Sequence, residues 1–439
     1  MHIRRATLAI VVSAAMALSI AGCSSGGNGG SAGTDPKAPV TVWVDAARQP
    51  QAVAYAKAHP NVKIKVDVIS GAQGASTQKI SLAKKAGTAL PDVVFIGSPD
   101  EIANLAANPL NYPLALNRVV PKKVIDNFPK GVLDRCTYGG QIYCLGNDIG
   151  QTVLFYNKPL FQEWGYQVPK TFAEFKALGA RLAAEHPGYN LGTVSGRYGV
   201  DAFFASSGCP VLDATSATAV KINTADSKCS RVGDLIGPMM KNGSLSTLDL
   251  FDKGYDKQIA DGKVVAMIGA SWIGDFAFKP MTTDSGSAFD AAGKYAVAPM
   301  PTWADGENNW SGTVGGGIWV VSKTTKNQKA AVAFAQAMTT SPTIAKTQTT
   351  YPAYGPSANI WLQAKAEDSW YAENPASVMK AAAANINPTE GYTRYVTQML
   401  DSFNNTVIKN GASDMSQALK QWGQETTQAA QAAGYKVSK

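Results

Sequence analysis

Catalysis by an imidazole, a thiolate or a phosphate-binding loop leaves signatures that this sequence lacks. Its three histidines are His2, in an N-terminal leader, and His59 and His186, each followed by proline. A proline disfavours helix at the residue before it, so both read as last residues of helices, where an imidazole can meet the final carbonyls. Neither is placed to act as the base of a Ser-His-Asp or Cys-His constellation, and none pairs with another His for a metal. There is no GxxxxGK[ST] loop, and GTVGGG, residues 312–317, departs from G-x-G-x-x-G. Two carboxylates could do glycosidase chemistry, and any two of the 32 acidic residues could meet in space. A secreted glycoside hydrolase therefore stays open at this point.

The other chemistry on offer is recognition. In AMIGASWIGDF, residues 266–276, an apolar strand over Val264–Ile268 leads into small residues, Gly269, Ala270, Ser271 and Gly274. These read as a turn that leaves Trp272, with Asp275 beside it, exposed. Trp310 and Tyr354 also stand on loops, kept there by neighbouring Gly and Pro. Trp361 and Trp370 fall in helical patterns and Trp43 within a strand, so these three read as packing.

The elements that position such residues follow from periodicity. Val40–Val44 is a strand, Pro50–Ala58 a helix ended by His59-Pro60, and Val62–Ile69 a strand of alternating character. A helix over Ala75–Lys85 and a strand over Asp92–Ile96 complete a β-α-β-α-β order, which implies a parallel sheet with crossover helices. Ligands in such sheets lie beyond the carboxyl ends of the strands. That rule gathers Asp45 to Arg48, Gly71 to Gly74, and Gly97, Ser98 and Asp100. Further strands are expected at Thr152–Tyr156, Tyr295–Ala298 and Ile318–Ser322, with helices at about 172–184, capped by Thr171 and Glu174, and 328–338. Gly315 and Gly316 mark either a bulge at a strand start or a close approach to ligand.

The N-terminus points to export. Arg4 and Arg5, an apolar run over 6–20 and then small residues form a secretory signal, with a run too short to span a membrane. Ile20-Ala21-Gly22-Cys23 resembles the bacterial lipobox, which implies a signal peptide over 1–22 and lipidation of Cys23. Residues 23–39 are Gly/Ser-rich, a flexible tether. The address is then the extracellular face of the cell membrane, lipid-anchored. The remaining four cysteines, Cys136, Cys144, Cys209 and Cys229, suggest two disulfides in an exported chain. Three pairings are possible. The local ones, Cys136 with Cys144 around a Gly139-Gly140 turn and Cys209 with Cys229, are favoured. Without CxxC or a nearby His, a zinc site is not indicated. The formal charge is +8, but the basic residues are scattered, which argues against nucleic acid. No cofactor is expected. The mature length exceeds one core's usual size, so two lobes are expected.

LPDVVFI (90–96), GQIYCLGNDIGQTVLFYNKPLF (140–161), VPKTFAEF (168–175), DGKVVAMIGASW (261–272) and VGGGIWVVSK (314–323) follow one another behind the lipobox. In this order they resemble extracellular solute-binding proteins that serve ABC importers of sugars, a family that includes maltodextrin-binding proteins. The resemblance covers nearly the whole chain. It implies an α/β, two-lobe, periplasmic-binding-protein-like (type II) fold with a hinge and interlobe cleft. One lobe would comprise 40–147 and 304–342, the other 148–303 and 343–439. It implies a monomer that captures a carbohydrate, most readily an oligosaccharide, and passes it to permease subunits, with no catalytic step of its own. A non-sugar solute is the alternative within that class. Trp272 matches an aromatic that stacks on sugar in maltodextrin-binding members, whose CH-rich ring face suits an aromatic plane. Asp45, Arg48, Ser98, Asp100, Asn147, Asp148, Gln151, Asp275, Trp310, Gly315, Gly316 and Tyr354 are the further candidate ligand contacts. Ile96 stands near where the maltodextrin branch has a cleft tryptophan, which argues against a maltodextrin ligand.

Overall fold

The computed structural model describes residues 35–439 except 72–73, 212, 217, 284–286, 288, 304–309 and 389–392. The leader, Cys23 and most of the tether lie outside the described residues.

Two sheets organise the described chain. The first contains β1 (Val40–Val44), β2 (Ile64–Val68), β3 (Val93–Ile96), β6 (Leu145–Gly146) and β12 (Ile318–Val321), in the order β2-β1-β3-β12-β6. β1 pairs parallel to β2 and β3, as the β-α-β-α-β reading requires, and β12 returns antiparallel to β3 and β6. β2 is shorter than its alternating pattern suggested and has no buried residue, because it is the edge strand. β3 and β12 lie inside the sheet and are buried along their whole length, so they read as continuous apolar runs.

The second sheet places β7 (Thr152–Asn157) between β10 (Ala266–Ala270) and β11 (Tyr295–Ala298), both antiparallel to it. Here the structure corrects the sequence reading. Gly269 and Ala270 do not form a turn: they continue β10 and pair with Val153 and Thr152. Gly269 is small for a packing reason, since a Cβ there would stand 2.2 Å from Cδ1 of Ile273. Only Ser271 separates the strand from Trp272, and a π-helical segment follows over Gly274–Phe278. A third, small sheet joins β8 (Asp213–Ser216), β9 (Ala219–Lys221) and β13 (Lys436–Ser438).

Local signals are borne out in detail. Helix Phe172–Glu185 starts on a reciprocal capping box between Thr171 and Glu174. His59 closes helix Gln49–Ala58 and donates from Nδ1 to the Tyr55 carbonyl at 2.8 Å, while His186 closes Phe172–Glu185 and stacks on Trp164 at 3.8 Å. β4 (Thr137–Tyr138) and β5 (Gln141–Ile142) form a hairpin whose turn residues Gly139 and Gly140 both have positive φ, 57° and 76°. Bonded pairs Cys136–Cys144 and Cys209–Cys229 match the local pairing. Trp43, Trp361 and Trp370 are buried.

Candidate ligand-binding site

The carboxyl ends of β1, β2 and β3 converge. A Cβ on Gly71 would stand 3.2 Å from the Cβ of Asp45, and one on Gly97 would stand 3.8 Å from the Gly71 carbonyl. The lane continues to Gly315, where a Cβ would meet the Gly97 carbonyl at 3.9 Å and Nε1 of Trp272 at 3.6 Å. Gly315 and Gly316 have φ of 91° and 96°, in the left-handed region, so glycine is required for conformation as well as for space. Trp272 thus reaches from the end of β10 to the approach to β12. Its Nε1–H donates to the Val314 carbonyl at 3.0 Å, and its ring stays partly exposed. One edge of the indole is fixed across the two sheets while a flat apolar surface remains available.

The Arg48 guanidinium lies over Phe95, 4.3 Å from the ring centroid. Its guanidinium bonds Asp45 at 3.0 Å and approaches Asp148 at 3.6 Å. Asp45 also accepts the Arg48 backbone N–H at 2.9 Å, so the two residues brace one turn. Burial pushes the Asp148 carboxyl above the ordinary aspartate range, opposed by Arg48 and by hydrogen bonds from Asn147 and the Gly317 N–H. Asn147 is fully committed: it donates to Asp148 at 2.7 Å and accepts from Nε1 of Trp319 at 2.9 Å. These polar residues at the β6–β7 crossing therefore tie the chain where it passes from one sheet to the other.

A second charged group spans the sheets. Asp100, just beyond β3, accepts from Arg197 at 2.6 Å, and Arg197 also bonds Asp201 at 2.9 Å. Arg197 and Asp201 belong to the segment around Tyr198–Phe204, and Arg197 lies 97 positions further along the chain than Asp100. Burial raises the Asp201 carboxyl, with Arg197 opposing. Nearby buried polar atoms lack a partner within the described protein: Ser98 Oγ, Gln151 Oε1 and Ser271 Oγ. Gln151 is otherwise engaged, donating to the Met379 carbonyl at 3.0 Å and accepting the Ser271 N–H on its own carbonyl at 2.9 Å. Of these, Ser271 directly precedes Trp272 and Ser98 follows Gly97 in the lane, and hydroxyls without a partner there suit a ligand rich in hydroxyl groups.

Three candidates stand apart from this group. The Asp275 carboxylate is taken up by Lys279 at 2.6 Å and Lys365 at 2.6 Å, with Tyr371 alongside at 3.5 Å. Trp310 packs on Gly208, whose added Cβ would stand 2.9 Å from the indole, beside the Cys209–Cys229 bridge. Tyr354 packs on Phe128, with centroids 5.3 Å apart. Sequence reasoning missed Arg197, Asp201, Phe251 and Phe276. The last two flank Trp272, at 6.4 Å and 5.7 Å between centroids. Phe251 lies among turn formers and acids in TLDLFDKG, a sequence signal that an apolar ring there is displayed rather than buried.

Residues 38–343 match the family model of the bacterial extracellular solute-binding protein. The chain belongs to that family. Among curated relatives, this solute-binding protein is 22% identical over 337 residues, 74% of each chain, to an arabinooligosaccharide-binding protein of Bacillus subtilis (strain 168). Among solved structures it is similar to the galacto-N-biose-/lacto-N-biose I-binding protein of an ABC transporter from Bifidobacterium longum, in complex with lacto-N-biose. That match has a TM-score of 0.77 at 19% identity and covers 92% of this chain and 100% of that one. A binding protein associated with an ABC transporter of B. animalis subsp. lactis, in complex with beta-1,6-galactobiose, follows at TM-score 0.74 and 21% identity, covering 91% and 99%. These likenesses establish the two-lobe type II architecture.

Proposed function

We propose that this protein is the substrate-binding lipoprotein of an ABC importer. It captures a neutral carbohydrate, an oligosaccharide rather than a single sugar, between its lobes and delivers it to the permease. The observation that carries this reading is Trp272: a partly exposed indole, anchored by its N–H to the Val314 carbonyl, beside a glycine-lined lane of polar residues. A sugar ring would lie on the indole, and Ser98, Gln151 and Ser271 offer hydroxyl and amide partners to its hydroxyl groups. The relatives described above bind arabino-oligosaccharides, lacto-N-biose and a galactobiose, which supports a sugar as the class of ligand. We place lobe boundaries at 147/148, 303/304 and 342/343: β12 returns to the first sheet, although residues 311–314 before it still pair with residues 150–152. Lipidation at Cys23 would hold the protein at the outer face of the membrane, where it works as a monomer.

A thermal-shift screen over a glycan panel, with chromatography of the incubated sugars, tests the reading. Binding raises the unfolding midpoint by an amount that follows RT ln(1 + [L]/Kd), and the sugar is recovered intact. Stabilisation by charged solutes alone, or appearance of shorter products, would overturn it.

A further inference from the structure

The first sheet carries opposite charge at its two ends. β6 runs with β3, both being antiparallel to β12. Just beyond the carboxyl ends of β1, β3 and β6, where the ligand lane lies, stand Asp45, Asp100, Glu101 and Asp148. Arg48, which stands among them, is taken up by Asp45 and Asp148. The other end of the sheet is formed by the residues that precede β1, β2 and β3 and by the chain leaving β12. Hydrogen bonds hold these segments together. The Ser322 N–H donates to the Asp92 carbonyl at 2.8 Å, the Asp35 N–H to the Lys326 carbonyl at 2.8 Å, and the Val40 N–H to the Lys63 carbonyl at 2.8 Å. The Asn327 side-chain amide reaches the Pro36 carbonyl at 2.9 Å. Pro36, Val119, Lys326 and Lys329 then line one open groove, with Arg118 and helix Lys122–Ile125 adjoining Val119 in the chain.

Six exposed cations gather at this pole from four stretches of sequence: Lys37, Lys63, Arg118, Lys123, Lys326 and Lys329. Among the described residues, none of them forms an ion pair. The carboxylates of the same segments are engaged. Asp35 accepts the Lys37 N–H at 2.9 Å, Asp92 accepts the Thr41 N–H at 2.8 Å, and Asp126 pairs with Lys122 at 2.6 Å. Basic residues that are scattered in sequence are thus concentrated by the fold into one positive field. All but Arg118 are lysines, compact hydrated charges that suit a diffuse phosphate surface better than bidentate capture of a single anion.

Asp35 enters the fold at this same pole. With a lipid on Cys23, residues 24–34 join Asp35 to the anchor, and eleven residues span at most about 40 Å. Clustered lysines held that close to a bilayer are drawn to its anionic headgroups. We propose that this pole is a membrane-docking face: it lies against anionic phospholipid headgroups and leaves the ligand lane, at the opposite end of the sheet, turned to the medium. The proposal rests on the lipidated-Cys23 reading above and adds to it which end of the protein meets the bilayer.

The test is vesicle sedimentation of the mature chain carrying Cys23→Ser, so that no lipid contributes. The protein should bind phosphatidylcholine vesicles containing about 30% phosphatidylglycerol, and not vesicles of phosphatidylcholine alone. Binding should vanish at about 0.5 M salt, where screening is short-ranged. Adding Lys37→Gln, Lys123→Gln, Lys326→Gln and Lys329→Gln together should weaken binding at least about tenfold, since each cation near such a surface contributes about fivefold. A control with Lys241→Gln, Lys253→Gln, Lys380→Gln and Lys420→Gln, exposed lysines elsewhere in the chain, should stay within about twofold. The unfolding midpoint should be unchanged in both sets. No binding to anionic vesicles, equal loss in the control, or binding to soluble polyphosphate without binding to vesicles would overturn the docking face alone. Mass spectrometry of the exported wild type tests the anchor separately: absence of an acyl group on Cys23 would remove the lipoprotein reading and this proposal with it.

Discussion

At the scale of single residues, the proposed sugar contact rests on Trp272. Its ring is only partly buried and its N–H has one partner, so Trp272→Ala removes contact area from the ligand more than from the core. The expected result is sugar affinity weakened by about 1–3 kcal/mol in calorimetry, with a small change in unfolding midpoint. Trp272→Phe should recover part of that loss, because it keeps a plane and gives up the bond to Val314. A variant that unfolds yet binds normally when folded would make Trp272 a core residue. This side chain was legible in the sequence because a large aromatic stood among small residues next to a strand. The small residues do not form a turn, however: Gly269 continues β10 and leaves room for the Ile273 side chain. Arg197 was not legible: a lone arginine in SGRYGVD gives no sign that its partner, Asp100, lies 97 positions away. Asp45, Arg48 and Asp148 were found by the strand-end rule or by resemblance, yet they bond mainly to one another.

At the scale of elements, the turn after β10 is fixed by charge. Asp275 and Asp368 share Lys279 and Lys365, which joins the π-helical segment following Trp272 to helix Gly355–Ala366. Burial alone would raise the Asp368 carboxyl, but hydrogen bonds from Lys279 and Lys365 outweigh it and hold the group below its ordinary range. A carboxylate lowered in the folded state contributes stability that is present above its unfolded pKa, about 3.9, and lost as pH falls through the folded value. The difference in unfolding midpoint between wild type and Asp368→Asn should therefore be constant from about pH 5 to 7 and shrink below about pH 4. A difference that grows on acidification would contradict this assignment. The hairpin around the Cys136–Cys144 bridge was readable from Gly139-Gly140 because only glycine accepts two successive positive φ values so readily. Reducing that bridge, in a variant where Cys209 and Cys229 are serine, should lower stability by about 2–3 kcal/mol in denaturant unfolding. The ion cluster at Asp275 was invisible for the same reason as Arg197, since Asp275 and Lys279 meet Lys365 and Asp368 from a distant segment.

At the scale of the whole molecule, the parallel half of the first sheet was legible because alternation of strand and helix dictates it. The return of β12 into that sheet, and the small sheet formed by β8, β9 and β13, depend on distant pairing that periodicity cannot reveal. On the proposed lobe division, Trp272–Val314 and Arg197–Asp100 are ties between the lobes, and opening of the cleft would part them. Asp100→Asn weakens the second tie and should raise the population of open molecules. Small-angle scattering of the sugar-free variant should show a larger radius of gyration, and apparent affinity should fall about three- to thirtyfold. Unchanged scattering and affinity would mean that the ion pair plays no part in closure. The most direct measurement of the central claim is a calorimetric titration of an oligosaccharide into the wild type and Trp272→Ala, with the sugar recovered afterwards. One site per chain, intact sugar and at least about tenfold weaker binding in the variant are expected. Equal binding by both proteins, or a sugar returned in cleaved form, would contradict it.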